Sequence, residues 1–248
     1  MNHIINANDL VNSNIKDIVI ANYKTAEVFE KYNIDFCCNG KRLLKDVLQE
    51  KNLKGNDLIN DLINIIKSES SAEENFDEYD LKKLIDHIVN VHHKYVIEAI
   101  PIIKTHLEKV ISKHGEKYQF LLEIGNLFSQ VSKELENHLF KEEQILFPFI
   151  NYLVNCQKDG EKPRSRSFGT IKSPIRQMEI EHDAAGNILH KIRELTGDYK
   201  LPEDACTTFT LTYEELKEFE SDLHKHIHLE NYILFPRAVE LENTLINK

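Results

Sequence analysis

The chain has no tryptophan, two methionines and only eight glycines in 248 residues. So little glycine leaves few sites for the tight turns of a sheet protein, which favours helices. No run of 18 apolar residues occurs, so no membrane-spanning helix is expected. The first residues, MNHIINANDLVNSNIKD, lack a basic start followed by an apolar stretch. No secretory signal is read there, and the cytoplasm is the expected location. An excess of basic charge is absent too. The net charge of −10 sets nucleic acid aside as a partner, because phosphate contacts need clustered Lys and Arg. Cysteine is scarce, four in all, which fits thiols better than a disulfide framework. Cys37 and Cys38 are adjacent and would bridge only through a strained ring.

What remains is an apolar fraction of 41%, enough for a packed core. Residues 1–62 read as a small helical module. NIKDIVIANYKTAEVFEKYNI has mostly helical spacing, DFCCNG is a turn, and KRLLKDVLQEKNL returns to helix. Residues 63–79, which include the polar and acidic KSESSAEENFDEY, read as a linker. From residue 80 to 248 the pattern is four long helices. They run from Leu81 to about Lys113 with a kink expected at Pro101, from about Tyr118 to Tyr152, from Ile175 to Leu195, and from Cys206 to about Asn243. The expected fold is all-α: an antiparallel four-helix bundle preceded by the small module.

One string is written twice. NHLFKEEQILFP begins at Asn137 and KHIHLENYILFP at Lys225, and both contain His-x-x-x-Glu-x-x-x-Leu-Phe-Pro. Leu135, His138, Glu142, Ile145 and Phe149 form a core-facing stripe, and Leu223, His226, Glu230 and Ile233 form its copy. The other two helices each place one histidine on such a stripe, His93 with Val89, Val96 and Ile100, and His182 with Met178, Ala185 and Leu189. The spacing from His93 to His138 is 45 residues and from His182 to His226 is 44, so the bundle reads as two repeated hairpins. Two carboxylates and four imidazoles in one core, with no Lys or Arg on their stripes, call for a cation. Two symmetric halves imply two metal ions, with Glu142 and Glu230 bridging them. Imidazole and carboxylate without thiolate suit iron or manganese, and zinc less well when bridged as a pair. Leu-Phe-Pro reads as packing, with Pro ending or kinking each helix. Glu134 and Glu181 read first as solvated charges, and otherwise as outer groups that would guide protons or ions. His3, His87, His92, His106, His114, His190, His224 and His228 match no comparable set, and His92 is expected to face away from His93. Cys156 and Cys206 read as structural.

These residues carry a resemblance. The bundle resembles a hemerythrin-like domain, and the whole chain resembles the RIC (repair of iron centres) family. FEKYNIDFCCNGKRLL is similar to that family's N-terminal Cys-Cys module, with Asn39 where Gly is common. HLFKEEQILFP, EIEHDAAG, ACTTF and HIHLENYILFP follow in the family's order. The resemblance implies metal ligands at His93, His138, His182 and His226 and bridges at Glu142 and Glu230. It implies a non-haem di-iron centre, oxo- or hydroxo-bridged, in a cytoplasmic and often homodimeric protein. It further implies repair of iron-sulfur clusters damaged by nitric oxide or oxidants, by iron donation or by binding and reducing nitric oxide, with damaged iron-sulfur proteins as partners. Cys37 and Cys38 are candidate thiols for receiving iron, relaying electrons or sensing oxidation, or are structural. An oxygen or nitric oxide binding and storage protein, and a di-iron oxidase or peroxidase, would use the same six ligands.

Overall fold

The structure is a computed structural model that describes residues 7–37, 39–53, 55–67, 76–164 and 169–247. It is helical throughout, with no strand among the described residues beyond an isolated Asn14–Leu43 bridge. Ala7–Val11, Ile15–Ala21, Thr25–Lys31, Leu44–Glu50 and Gly55–Lys67 build the N-terminal module. The last of these continues through residues expected from sequence to be linker, because its apolar face buries Leu58, Ile59 and Leu62. Phe76, also in that expected linker, is buried against Tyr23 and His87. Cys38 lies outside the described residues.

The first bundle helix comprises Leu81–His87, Ile88–His93 and Lys94–His114. It starts where the Asp80 side chain accepts a hydrogen bond from the Lys83 N–H at 2.7 Å, a standard N-terminal cap. The second comprises Phe120–Lys141, Glu142–Leu146 and Phe147–Asp159, and ends at Gly160 in the left-handed region, φ 70°. The third is Lys172–Leu195. The fourth comprises Thr207–Leu229, Glu230–Leu234 and Phe235–Ile246. The second helix packs on the first and third, and the first packs on the fourth. No helix is long and apolar enough to cross a membrane among the described residues.

Three of the four helices contain a π segment, Ile88–His93, Glu142–Leu146 and Glu230–Leu234. This corrects the straight-helix stripes. A π turn takes in one extra residue and rotates the helix beyond it. Ile145, placed on the core stripe by sequence, is 49% exposed, while Leu146 and Phe147 turn inward. Its counterpart Ile233 is buried, and it lines one cleft with Ile20 and Tyr23 of the module. The same rotation brings both His92 and His93 inside, against the expectation that His92 faces away. Nor do Pro148 and Pro236 end their helices. Each sits in the first turn after a π segment, where the Phe147 and Phe235 N–H groups reach back to the Glu142 and Glu230 carbonyls. That wider turn accommodates a ring that would clash in a regular helix.

The buried apolar residues fall into two clusters. One holds the module core with Val96, Ile100, Leu135, Leu139, Ala185, Leu189, Leu223 and Ile227. The other holds Leu84, Ile88, Leu146, Phe147, Met178, Leu229, Ile233 and Leu234. The repeated histidines and glutamates occupy the layer between them. The module is joined to the bundle by polar contacts. Glu30 accepts from His224 Nδ1 at 2.7 Å and lies 3.8 Å from Arg193, while Asn33 also bonds Arg193. Arg193 in turn grips the buried Glu220 through Nε at 3.0 and 3.1 Å, and the Tyr199 hydroxyl donates to Glu220 at 2.6 Å. Removing one partner of such a buried pair leaves an uncompensated charge. Arg193→Met should therefore destabilise the fold by about 3 kcal/mol, read as a lower denaturant midpoint at unchanged slope.

Candidate metal centre

Each polar residue of the layer is delivered by a helix segment whose neighbours one turn away are apolar. His138 is flanked by Leu135 and Leu139, His182 by Met178 and Ala185, and His226 by Leu223 and Ile227. Glu142 and Glu230 are the first residues of their π segments and are fully buried. The six residues form two overlapping groups whose donor atoms all lie within 4.8 Å of one another. One is His93, Glu142, His226 and Glu230. The other is His138, Glu142, His182 and Glu230, so both glutamates belong to both groups.

Nε2 is the atom each imidazole turns inward. His93 and His138 Nε2 lie 3.5 and 3.3 Å from Glu142 Oε2, and His182 and His226 Nε2 lie 3.1 and 3.2 Å from the Glu230 oxygens. None of the four carboxylate oxygens makes a hydrogen bond among the described residues, although all are buried. His138 and His182 Nε2 are only 3.0 Å apart. Outer partners fix which nitrogen carries the proton. His93 Nδ1 meets Glu143 at 2.8 Å, His138 Nδ1 meets Glu181 at 2.9 Å, and His182 Nδ1 meets Asn231 Oδ1 at 2.9 Å. With Nδ1 donating outward, the Nε2 atoms of His93, His138 and His182 present lone pairs, and facing lone pairs beside unbonded carboxylates are the donor set of a cation.

Without a cation, protons supply the positive charge that the layer requires. Burial would depress the His138 imidazolium, but the Glu142 carboxylate and the Glu181 hydrogen bond raise it to about 10. Burial likewise opposes a rise at His93, where Glu142 prevails. At His226 burial prevails and the imidazolium is disfavoured. Both glutamates are held below the usual carboxylate range despite burial, Glu142 by His138 and His93, and Glu230 by His226 and His182. Glu181 is held at about 2, first by its His138 hydrogen bond and then by Lys141.

Of the two outer glutamates expected from sequence, Glu181 therefore touches an imidazole of the layer, that of His138. Glu134 is exposed; its bond is from Gln130 at 3.0 Å, although it lines a shallow cleft with His138 and Glu181. Cys37 is buried, and its Sγ lies 3.3 Å from Asp35 Oδ1. Four contributors were not anticipated from sequence. Glu143 and Asn231 follow the two bridging positions in the repeat, and that shared register was the available signal. His92 stacks flat on His226, centroids 5.7 Å apart and planes 6° apart, with its own Nδ1 2.9 Å from Asp222. His224 ties the module to the bundle. No sequence signal marked either histidine.

The arrangement defines a class, a four-helix bundle enclosing a buried imidazole–carboxylate cation site. Residues 84–238 match the hemerythrin HHE cation binding domain, and residues 11–65 match a domain of unknown function, DUF542. Relatives named iron-sulfur cluster repair protein YtfE, from Yersinia pestis (strain Pestoides F) and Yersinia pseudotuberculosis serotype O:1b (strain IP 31758), are 34% identical over 234 residues. The alignments cover 94% of this chain and all of each relative. The chain belongs to the hemerythrin HHE family and, within it, to the RIC proteins that join this bundle to the N-terminal module.

The proton and the metal compete for the same nitrogens. His138 is raised in the folded metal-free chain above its unfolded value of 6.5. Its stabilisation is thus complete below pH about 6.5 and is lost as pH rises through about 10. The thermal midpoint of metal-free protein should fall between pH 7 and 10 and that of loaded protein should hold. Calorimetric titration with metal at pH 7, in buffers of differing ionisation enthalpy, should register proton release.

Proposed function

We propose that the chain is a non-haem di-iron protein that repairs iron-sulfur clusters damaged by nitric oxide or oxidants. The observation that carries this reading is that two fully buried carboxylates are each shared by both four-residue donor groups. His93 and His226 would hold one iron, His138 and His182 the other, and Glu142 and Glu230 would bridge them, with an oxo or hydroxo bridge completing the pair. Imidazole and carboxylate donors without thiolate favour iron over zinc, with manganese the second choice. The names of the relatives supply the repair role.

When bound, the irons supply electrons and coordination positions not taken by protein. The chain's own part is to present four inward Nε2 atoms, three of them oriented by outward partners, and to flank the layer with an apolar cluster on either side. Six protein ligands for two ions leave room for nitric oxide or oxygen, or for an iron that departs as cargo to a damaged cluster. Cys37 carries no step here, because its thiol is buried beside Asp35. Cytoplasmic location and a homodimer are part of the same proposal, the latter checked by chromatographic mass.

The test adds protein loaded with ferrous iron without oxygen to a nitric-oxide-damaged iron-sulfur enzyme. Recovered activity, iron lost from the donor and nitrous oxide are followed together. Loading should reach about two irons per chain, and Glu142→Leu and His226→Leu should lose at least one each and repair poorly. Loading that stops at about one metal per chain or below, or equal repair by those variants, rejects the reading.

A further inference from the structure

The repeat relates His93 to His182, His138 to His226 and Glu142 to Glu230. It also relates the residue before each lone histidine, His92 to Glu181, and the residue after each glutamate, Glu143 to Asn231. The ligands keep this symmetry and their supports break it. Glu143 accepts from His93 Nδ1 at 2.8 Å, whereas Asn231, a neutral amide, accepts from His182 Nδ1 at 2.9 Å. Glu181 accepts from His138 Nδ1 at 2.9 Å and is itself held by Lys141 and by Gln177 at 2.8 Å. His92, in the equivalent place, offers no acceptor to His226. It stacks on that ring, and His226 Nδ1 has no hydrogen-bond partner among the described residues although the residue is fully buried.

An outward hydrogen bond to a carboxylate orients a ligand imidazole and strengthens its donor nitrogen, and its loss costs roughly 10- to 100-fold in metal affinity. The His138/His182 position has two supported imidazoles, one by a carboxylate pinned by a lysine. The His93/His226 position has one. Its support, Glu143, is 38% exposed, against 24% for Glu181. Access does not favour the His93/His226 position, because the cleft on its side stops at His92 while the other is lined by His138 itself. A cleft of about 580 Å³ between module and bundle reaches His92, and one of about 270 Å³ reaches His138.

We infer that the two positions hold their ions unequally and that the His93/His226 position releases first, with Glu143, Glu181 and Asn231 as positioning residues that set the order. The inference rests on the proposed two-ion centre. The test follows iron leaving fully loaded ferrous protein into excess chelator, without oxygen, by absorbance. Two phases of equal amplitude are expected. Glu143→Gln should accelerate the fast phase and Glu181→Gln the slow one, each by about tenfold, while Asn231→Asp should slow the slow phase. His92→Glu, which supplies the carboxylate that the repeat lacks at His226, should slow the fast phase. Slower release is a result that structural damage does not produce, so the two gain variants separate positioning from misfolding. A single phase for two bound ions, or Glu181→Gln acting on the fast phase, overturns the inference and leaves the two-ion centre standing. Wild-type loading that stops at one ion overturns both.

Discussion

The rest of the bundle is organised around one electrostatic constraint: Glu142 and Glu230 have no exposed surface, and among the described residues their ion-pair contacts are all with histidines. Two carboxylates in such a place repel each other and lose their hydration, a cost of several kcal/mol for each ion. Four imidazoles answer that cost, and each imidazole then needs its remaining nitrogen settled. Glu143, Glu181 and Asn231 do this for three of them at the rim, where their own charge or amide meets solvent. Polarity thus decreases nowhere abruptly; it passes outward from glutamate to histidine to acceptor to water. The apolar clusters above and below confine that chain of contacts to a single level of the bundle.

The same layer binds the module. Phe36 packs on His224 and His228, and Tyr23 on His228, two residues from either His226 or Glu230. Burial against those rings pushes the His228 imidazole down to about 4, so it packs as a neutral ring at neutral pH. The module and the centre therefore meet through one stretch of the fourth helix. The Arg193–Glu220–Tyr199 cluster and Glu30 provide the polar edge of that contact.

The architecture and the six inward residues were legible because both depend on periodicity. A polar residue on an apolar stripe is conspicuous, and a copy of it in the second hairpin excludes accident. Periodicity failed where the helices stop being periodic. Ile145 and His92 were misplaced for one reason, the π segments, which no residue type announces in advance and which also let the helices run on past the two prolines. The outer partners were hidden for another. A glutamate or asparagine on a half-exposed rim is indistinguishable in sequence from a solvated one, and only the neighbouring helix shows which imidazole it meets. Glu134 and Glu181 looked equivalent from sequence, and geometry alone separates them.

The π segments also change what kind of object each helix is. A regular helix rotates by about 100° per residue, so one added residue re-aims everything downstream by that amount. Beyond Glu142 and Glu230 the apolar faces are aimed by that addition, which makes the helices composite: two shafts set at an angular offset, with the carboxylate at the joint. Deleting one residue after the glutamate in either joint would leave all six layer residues in the chain, yet it would close the helix into a regular ladder and remove the wide turn that accommodates Pro148 or Pro236. The centre thus depends on counting as well as on chemistry: each joint needs its extra residue as the layer needs its donors.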